Sequence, residues 1–461
     1  MNRLLTISLL SLLLTARLMA QPDLAGNPAG AMAVMPPILQ QMLPAETGNP
    51  ALLYWQAFAA YRDVAPDARA QWDAFDNAHR NMTDAVTRDA LDKCFGGGAF
   101  DHCQLLLHRA DTSSTTPDWG IETTQGLFAE LPHLASLRKA QRLLLWHARY
   151  QLLRDKTDDG VAELIEAFRL ARHCSPGGDG MLISLLVEKD MERHAVNVAA
   201  LLVPRLTPEQ LRRLAGALAV LPAGGTLPRA VAQEKQLVLT TLAQCAKAYA
   251  ATARDPQQRE QLVAFFTANL GHAEMRWIFD YLDDPTVAAG VSAQYDRLIE
   301  LLTLPPSAIP TALATHQARM QTDPRAFVLK AQQLIDGLPL NADRDAFRVE
   351  GMAWANRANP AFAKRFDALV REQNGVALVI TGILMPHLET VFTRITETDT
   401  DQALLRAGIL VQQQNPDVLA HIADPATPRP FTYQQEGKGF RLTSAVSWGG
   451  AAGAISLRFG E

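Results

Sequence analysis

Arg138, Arg142 and Arg149 fall within about 40° of one another when the chain is wound at 100° per residue. The guanidinium fork matches a carboxylate or a phosphate, so the stripe is a candidate anion site. A solvated helix face, or ion pairs with Glu163, Glu166 and Glu188, accounts for it without a ligand, and that plainer reading is preferred. Cys94 and Cys103 bound the run CFGGGAFDHC and could close a short disulfide loop in an oxidising compartment, with unpaired thiols as the alternative. Cys94, His102, Cys103 and His108 are metal-ligand types, but they lack the C-x-x-C and H-x-x-x-H spacings of a tetrahedral site, and no metal or other cofactor is expected. Cys174 and Cys245 could pair only if the fold brings them together.

Gly96, Gly97 and Gly98 could cradle an anion if a helix N-terminus follows them, and otherwise form a loop. Ser136 and Lys139 match S-x-x-K, yet no S-D-N or K-T-G partner accompanies them. Neither G-x-S-x-G, H-E-x-x-H, a Walker loop nor a dinucleotide glycine pattern is present. Trp55, Trp72, Trp119 and Trp146 fit a core better than a ligand platform.

The elements that must position these residues are helical. Leu52, Trp55, Phe58 and Ala59 recur at helical spacing after Pro50. Further helices are expected at about 66–79 and 83–91. Leu134, Leu137, Leu144, Ala148 and Leu152 form one stripe, and after the polar break RDKTDDG the stripe resumes at Val161, Leu164, Ile165 and Phe168. This pair, at about 147–173, is similar to a single tetratricopeptide-like unit, but no second copy follows at that period. Thr207-Pro208-Glu209-Gln210 spells a capping box. Asp255-Pro256, Asp284-Pro285, Pro305-Pro306, Asp323-Pro324 and Asn359-Pro360 read as helix starts in which Asp or Asn caps and Pro opens the next helix. In the tail, Phe431/Tyr433, Phe440/Leu442 and Ile455/Leu457/Phe459 alternate around Gly437 and Gly439, which predicts a β-hairpin and one more strand. The facing stripe for the hairpin is expected on the preceding helix, at Leu405, Ile409 and Gln412.

The first twenty residues place the chain outside the cytoplasm. Arg3 precedes an apolar core over 4–14, too short to span a bilayer, and Ala20 offers a small residue at a cleavage point. Net charge is −5 and no basic tract appears, which argues against nucleic acid as a partner. The longest later apolar run, 376–385, reads as a buried helix segment, so no transmembrane segment is expected after the leader.

The stretches NPALLYWQAF, PDWG, LPHLASLRKAQRLLLWHARYQLL, AFRLARH, LLVEKDMERHA and PRLTPEQLRRLAGALAVLP, within 49–61 and 107–235, resemble a family of exported helical proteins of planctomycete-type bacteria. That resemblance implies export and helical architecture and carries no catalytic residues. The tail, through Asp424, Pro425, Pro430, Phe431, Tyr433, Gly439, Phe440, Leu442 and Ser444, resembles the C-terminal segment of type II secretion pseudopilins, which implies a helix-plus-hairpin module. The short chain and Glu-bearing N-terminal helix of pseudopilins have no counterpart.

The expected organisation is a leader over 1–20, a linker over 21–48, a helical-hairpin domain over 49–253, a second helical region over 254–400, and a helix plus β-hairpin tail over 401–461. The fold class is mainly α, an irregular stack of helical hairpins with a small terminal β module. The expected function is a non-catalytic exported interaction or scaffold protein, periplasmic or extracellular, with a protein or peptide partner. The alternative is a hydrolase or lyase with a site assembled in the helical core.

Overall fold

The structure, a computed structural model, describes residues 49–460 apart from 81, 114–115, 176–179, 253–254, 256, 259–260, 262–272, 385–387, 423, 425–426, 428 and 446–454. The segments expected to be a leader and a linker therefore lie outside the described residues, as does Pro256 of the expected Asp255-Pro256 helix start. The fold is mainly α with a three-stranded antiparallel sheet at the C-terminal end. No helix among the described residues is long and apolar enough to cross a membrane.

Local chemistry sets most helix starts. In α1 (Pro50–Asp63) Pro50 opens the helix and the Asn49 side chain accepts from Ala51 N. The capping box at Thr207 forms as the sequence predicts and starts α8 (Pro208–Ala219). Asp284 and Asn359 cap α10 (Pro285–Leu301) and α14 (Pro360–Glu372) through backbone N–H groups. Three expectations are corrected. Pro305-Pro306 precedes its helix without opening it, since the helix starts at Ile309 with Pro310 in its first turn. The helix placed at 83–91 is α3 (Arg88–Phe95), because Thr87 takes the N-cap by accepting from Ala90 N. Asp323-Pro324 does not start a helix, because Pro324 lies inside α11 (Ile309–Asp336). There α15 (Gly375–Leu384) brings Gly382 against Pro324 and the Met320 carbonyl, the acceptor that a proline nitrogen leaves unused.

The remaining elements complete two cores. The first is built from α1, α2 (Pro66–Ala78), α3, α4 (Asp101–Asp111), α5 (Pro132–Leu153), α6 (Thr157–Arg172), α7 (Leu182–Leu202) and α8, closed by α16 (Leu388–Gln413) and the sheet. The second is built from α9 (Leu227–Ala251), α10, α11, α12 (Asn341–Glu350), α13 (Met352–Ala358), α14, α15 and the first half of α16. α7 serves both, since Leu182 and Leu185 point into the second core and Met191, Val196 and Val198 into the first. Packing thus divides the chain at different places from those that composition suggested. α9 belongs with the second core, and residues 404–459 belong with the first.

The strands β1 (Thr432–Glu436), β2 (Gly439–Thr443) and β3 (Ser456–Phe459) form a meander, with Glu436 opposite Gly439 and Phe440 opposite Phe459. Gly437 supplies the positive φ, +56°, that a two-residue hairpin turn requires. The sheet docks on α16 and α7. Phe459 lies directly on Gly408, its ring stacks on Phe440 at 4.5 Å, and Gly460 N donates to Ala200 O. Leu405 and Ile409 are buried as predicted, whereas Gln412 faces solvent. Where a long side chain was expected, the contact is made by Gly408, which lets the ring approach the helix backbone.

The first core is also tied by a buried ionic cluster. Arg172 at the end of α6 bridges Glu188 and Glu192 of α7, both fully buried, and donates to Gln402 of α16. Lys189 reaches Glu192 at 3.0 Å and Asp399 at 2.9 Å, and Gly225 N donates to Glu188.

Candidate functional site

The α5–α6 hairpin forms the floor of the candidate site. Asp155 turns the chain with φ +60°, and Gly160 removes the Cβ that would strike Leu152 and the Ala148 carbonyl, so the two helices pack closely. Asp158 and Asp159 occupy the first turn of α6, where carboxylates complement the helix dipole. Across this hairpin, His147 and Glu163 meet. His147 Nδ1 lies 2.8 Å from Glu163 Oε1 and 2.9 Å from Oε2, while the Gln151 amide sits 3.5 Å from Nε2. That arrangement assigns the proton to Nδ1 in the neutral ring.

A second imidazole–carboxylate pair stands beside the first. His108 of α4 places Nδ1 3.5 Å from Oε2 of Glu166, one helical turn beyond Glu163. His108 is exposed and Glu166 is buried. Burial pushes Glu166 up to about 7, with the neighbouring Asp111 and Glu163 adding to the effect. The pairing with Glu166 raises His108 above the ordinary imidazole range, and burial raises Glu163.

The pairs line a cleft of about 490 Å³ together with Phe95, Gly96, Gly98, Asp101, Gln104, Leu105, Tyr150, Gln151, Arg154 and Lys156. Its rim residues Asp101, His108, Arg154 and Lys156 are exposed, and its floor is buried. The glycine run is the lip of this cleft. A helix does follow it, but α4 carries Asp101 in its first turn, and Gly98 (φ +66°) lies so close that a Cβ would stand 2.7 Å from Asp101 Oδ2. The helix N-terminus is thus answered by the chain's own carboxylate and not left for an anion. Arg154 donates to Tyr150 O–H at 3.1 Å and covers its ring, and that hydroxyl donates to Asp92 at 2.7 Å.

Three buried polar atoms of cleft residues have no partner among the described residues: Glu166 Oε1, Gln104 Nε2 and Gln151 Oε1. None of the lining residues is Ser, Thr or Cys, so the cleft offers acid–base groups and hydrogen-bond partners but no hydroxyl or thiol nucleophile of those types.

The arginine stripe is brought together on α5 but each member is spent. Arg138 pairs with Asp190 at 3.0 Å and Arg142 with Asp76 at 2.5 Å. Arg149 donates to the carbonyls of Met82 and Asp84 and lies 4.5 Å from the Trp146 ring. The candidate anion site is therefore corrected to two ties between helices and one from α5 to the loop before α3, on different partners from those proposed. Lys139 is directed to Asp73 and the Tyr61 ring. Trp72, Trp119 and Trp146 are core, Trp55 packs against it, and Trp119 Nε1 donates to His173 O.

Cys94 on α3 and Cys103 on α4 are free, buried thiols in this structure, as are Cys174 and Cys245. Burial pushes Cys94 up to about 11 and Cys103 up to about 12. Both should resist alkylation in the folded protein, because the thiolate is the reactive form. In denatured, unreduced protein both should label; protection of the two together would show that a bridge joins them. No group of three or more His, Cys, Asp or Glu among the described residues is arranged to hold a metal ion.

The buried carboxyls predict the pH dependence of folding. Glu166, raised from 4.5 to about 7, contributes stability fully present below its unfolded value and lost as pH rises through 7. Burial shifts Glu234 to about 7 and Glu188 to about 8 in the same sense. His133 and His173, held neutral by burial and lowered to about 4, contribute the opposite limb: stability present above 6.5 and lost as pH falls toward 4. The melting temperature should therefore peak in mildly acidic buffer. Glu166→Gln should remove on the order of 3 kcal/mol of the fall between pH 5 and 8. A variant with the wild-type profile would refute this assignment.

Sequence reasoning named His108 only as a metal-ligand type and Glu163 and Glu166 only as ion-pair partners, and it did not name His147. The available signal was symmetry: His147 and Glu163 lie equidistant from the Asp155 turn, so an antiparallel hairpin must set them opposite each other. Compared with family models, with curated proteins and with solved structures, the chain has no match in any of the three.

Proposed function

We propose that the protein is an exported, non-catalytic interaction protein of the cell envelope, periplasmic or extracellular, that captures a partner in the cleft over the α5–α6 hairpin. One observation carries this reading. Two imidazole–carboxylate pairs, His147–Glu163 and His108–Glu166, stand side by side in a cleft of about 490 Å³ whose rim residues Asp101, His108, Arg154 and Lys156 are exposed. Paired groups hold the shape of the cleft, and the exposed rim presents charge and hydrogen-bonding groups to a partner. The leader-like segment over 1–20 supports export.

The test uses the full chain as bait on native envelope extract, beside Gln104→Arg, which fills the cleft from a half-buried position. Partners held by the wild type and lost by a folded Gln104→Arg support the reading. Partners retained unchanged would remove the cleft from it. Intact mass of native material should show the loss of about twenty residues.

A second reading rests on His108 and Glu166. A carboxyl near 7 beside an exposed imidazole can donate or accept a proton at neutral pH, as a hydrolase or lyase requires. Under it, His108→Gln abolishes turnover and leaves binding intact.

A further inference from the structure

Two cations of the α5–α6 turn face the cleft without a carboxylate to answer them. Arg154, at the end of α5, donates to the Tyr150 hydroxyl, and Lys156, just ahead of α6, is in no ion pair among the described residues. Elsewhere on the same two helices Arg138, Arg142, Arg169 and Arg172 are each matched to an Asp or Glu. A third basic group, His108, lines the cleft from α4 with its side chain 62% exposed, whereas the Glu166 side chain beside it is 6% exposed. His108, Arg154 and Lys156 therefore reach a ligand directly, and Glu166 acts on it only through its charge. Asp101 is the exposed carboxylate of the lining.

The charge of this lining changes close to neutrality. Facing Glu166 are His108, Cys103 and Asp111 from α4, Glu163 and Arg169 from its own helix, and Tyr54 from α1. Burial keeps the Tyr54 hydroxyl and the Cys103 thiol protonated, and Asp111 is tied to Arg169 at 2.7 Å. Burial raises Glu166 to about 7, and pairing with Glu166 raises His108. A raised carboxyl is neutral below its value, and a raised imidazole is cationic below its own. Acidification thus makes the cleft more positive by two charges, one at each group. Glu163, raised chiefly by burial, adds in the same sense.

From three accessible basic side chains set around a buried acid, we infer that the cleft binds an acidic peptide segment of its partner in mildly acidic surroundings and releases it as the medium turns alkaline. The inference rests on the cleft being the capture site, and it adds the chemistry of the partner and its control by protons. The Arg154 fork and the Lys156 ammonium receive the carboxylates, and His108 adds its charge when protonated. Leu105, half-buried in the lining, offers apolar surface to the methylene stems of Glu side chains, which a free phosphate lacks.

The test is titration of the full chain, with ¹³C-labelled histidine, by acetyl-Glu-Glu-amide, acetyl-Gln-Gln-amide, acetyl-Lys-Lys-amide and inorganic phosphate, at pH 6 and at pH 8.5. His108 and His147 line the cleft and report its occupancy. The acidic peptide should shift both ring signals saturably at pH 6. It should bind on the order of tenfold more weakly at pH 8.5, the effect of two unit charges about 7 Å away in near-aqueous surroundings. Added salt should weaken the binding at pH 6. Arg154→Gln and Lys156→Gln, both at exposed positions, should lower affinity at both pH values. Glu166→Gln should bind as the wild type does at pH 6 and lose roughly threefold instead of tenfold at pH 8.5. Should that variant fail to fold, His108→Gln at its exposed position should weaken the binding at pH 6 by roughly threefold, read from His147. Equal affinity at the two pH values, or preference for the neutral or basic peptide, would overturn the proposal, as would a response to phosphate alone or to no probe. The capture site is judged separately. Native partners lost by Gln104→Arg, with no response to the acidic peptide, would overturn the ligand chemistry and leave the cleft as the site.

Discussion

Arg172→Ala is expected to destabilise the protein by about 3–5 kcal/mol, the cost typical of removing one partner from a buried ion pair. Arg172 stands between Glu188 and Glu192, each fully buried, and Lys189 compensates only Glu192 directly. Without the guanidinium, two carboxylates of adjacent turns share a dry site with one ammonium. The destabilisation should be greater at pH 9 than at pH 6. Glu188 is already raised to about 8 by burial and by Glu192, so acid neutralises it at little further cost. Glu188→Gln added to Arg172→Ala should recover a substantial part of the loss, because it removes the charge that has no other direct cation. Urea midpoints of the three proteins at the two pH values decide this. A single-variant loss below about 1 kcal/mol would mean that water already reaches the cluster and that it behaves as a surface pair.

The second large effect belongs to the sheet. Phe440→Ala should cost about 3–5 kcal/mol, as expected for a buried phenylalanine. The ring is buried and stacked on Phe459, which in turn rests on Gly408 of α16. Truncation opens a cavity that the stacked ring and the helix backbone cannot fill. Gly408→Ala should be similarly damaging, since its Cβ would enter the Phe459 ring. An unchanged melting temperature for Phe440→Ala would indicate a sheet that waits for a partner strand instead of packing on its own helices.

The fold class was legible because helix periodicity is local. The stripe through Leu134, Leu137, Leu144 and Ala148 and the capping box at Thr207 each appear in the structure where the residues place them. The tail was legible for the same reason, since alternation around Gly437 and Gly439 defines a hairpin without distant information. What escaped was anything set by tertiary partners. Pro324 lies inside α11, where α15 brings Gly382 against its ring and the Met320 carbonyl, a contact between residues far apart in sequence. The arginines of α5 find Asp76, Asp190 and two loop carbonyls that no spacing rule could nominate. The cleft is assembled by four helices, α3 to α6, and only its His147–Glu163 half obeys a local symmetry.

The first core takes walls from both sides of the second one along the chain: it is left at α8 and rejoined at Leu404. During synthesis, α5, α6 and α7 emerge long before α16 and the sheet that cover them. Until then Val196, Val198 and Leu202 have no lid, and Lys189 and Arg172 lack Asp399 and Gln402. The nascent chain must therefore expose apolar surface for as long as the intervening helices take to appear, and its last contacts close over a long loop. Such a chain reaches its compact state late, and loss of the last strands is harmful to the first helices.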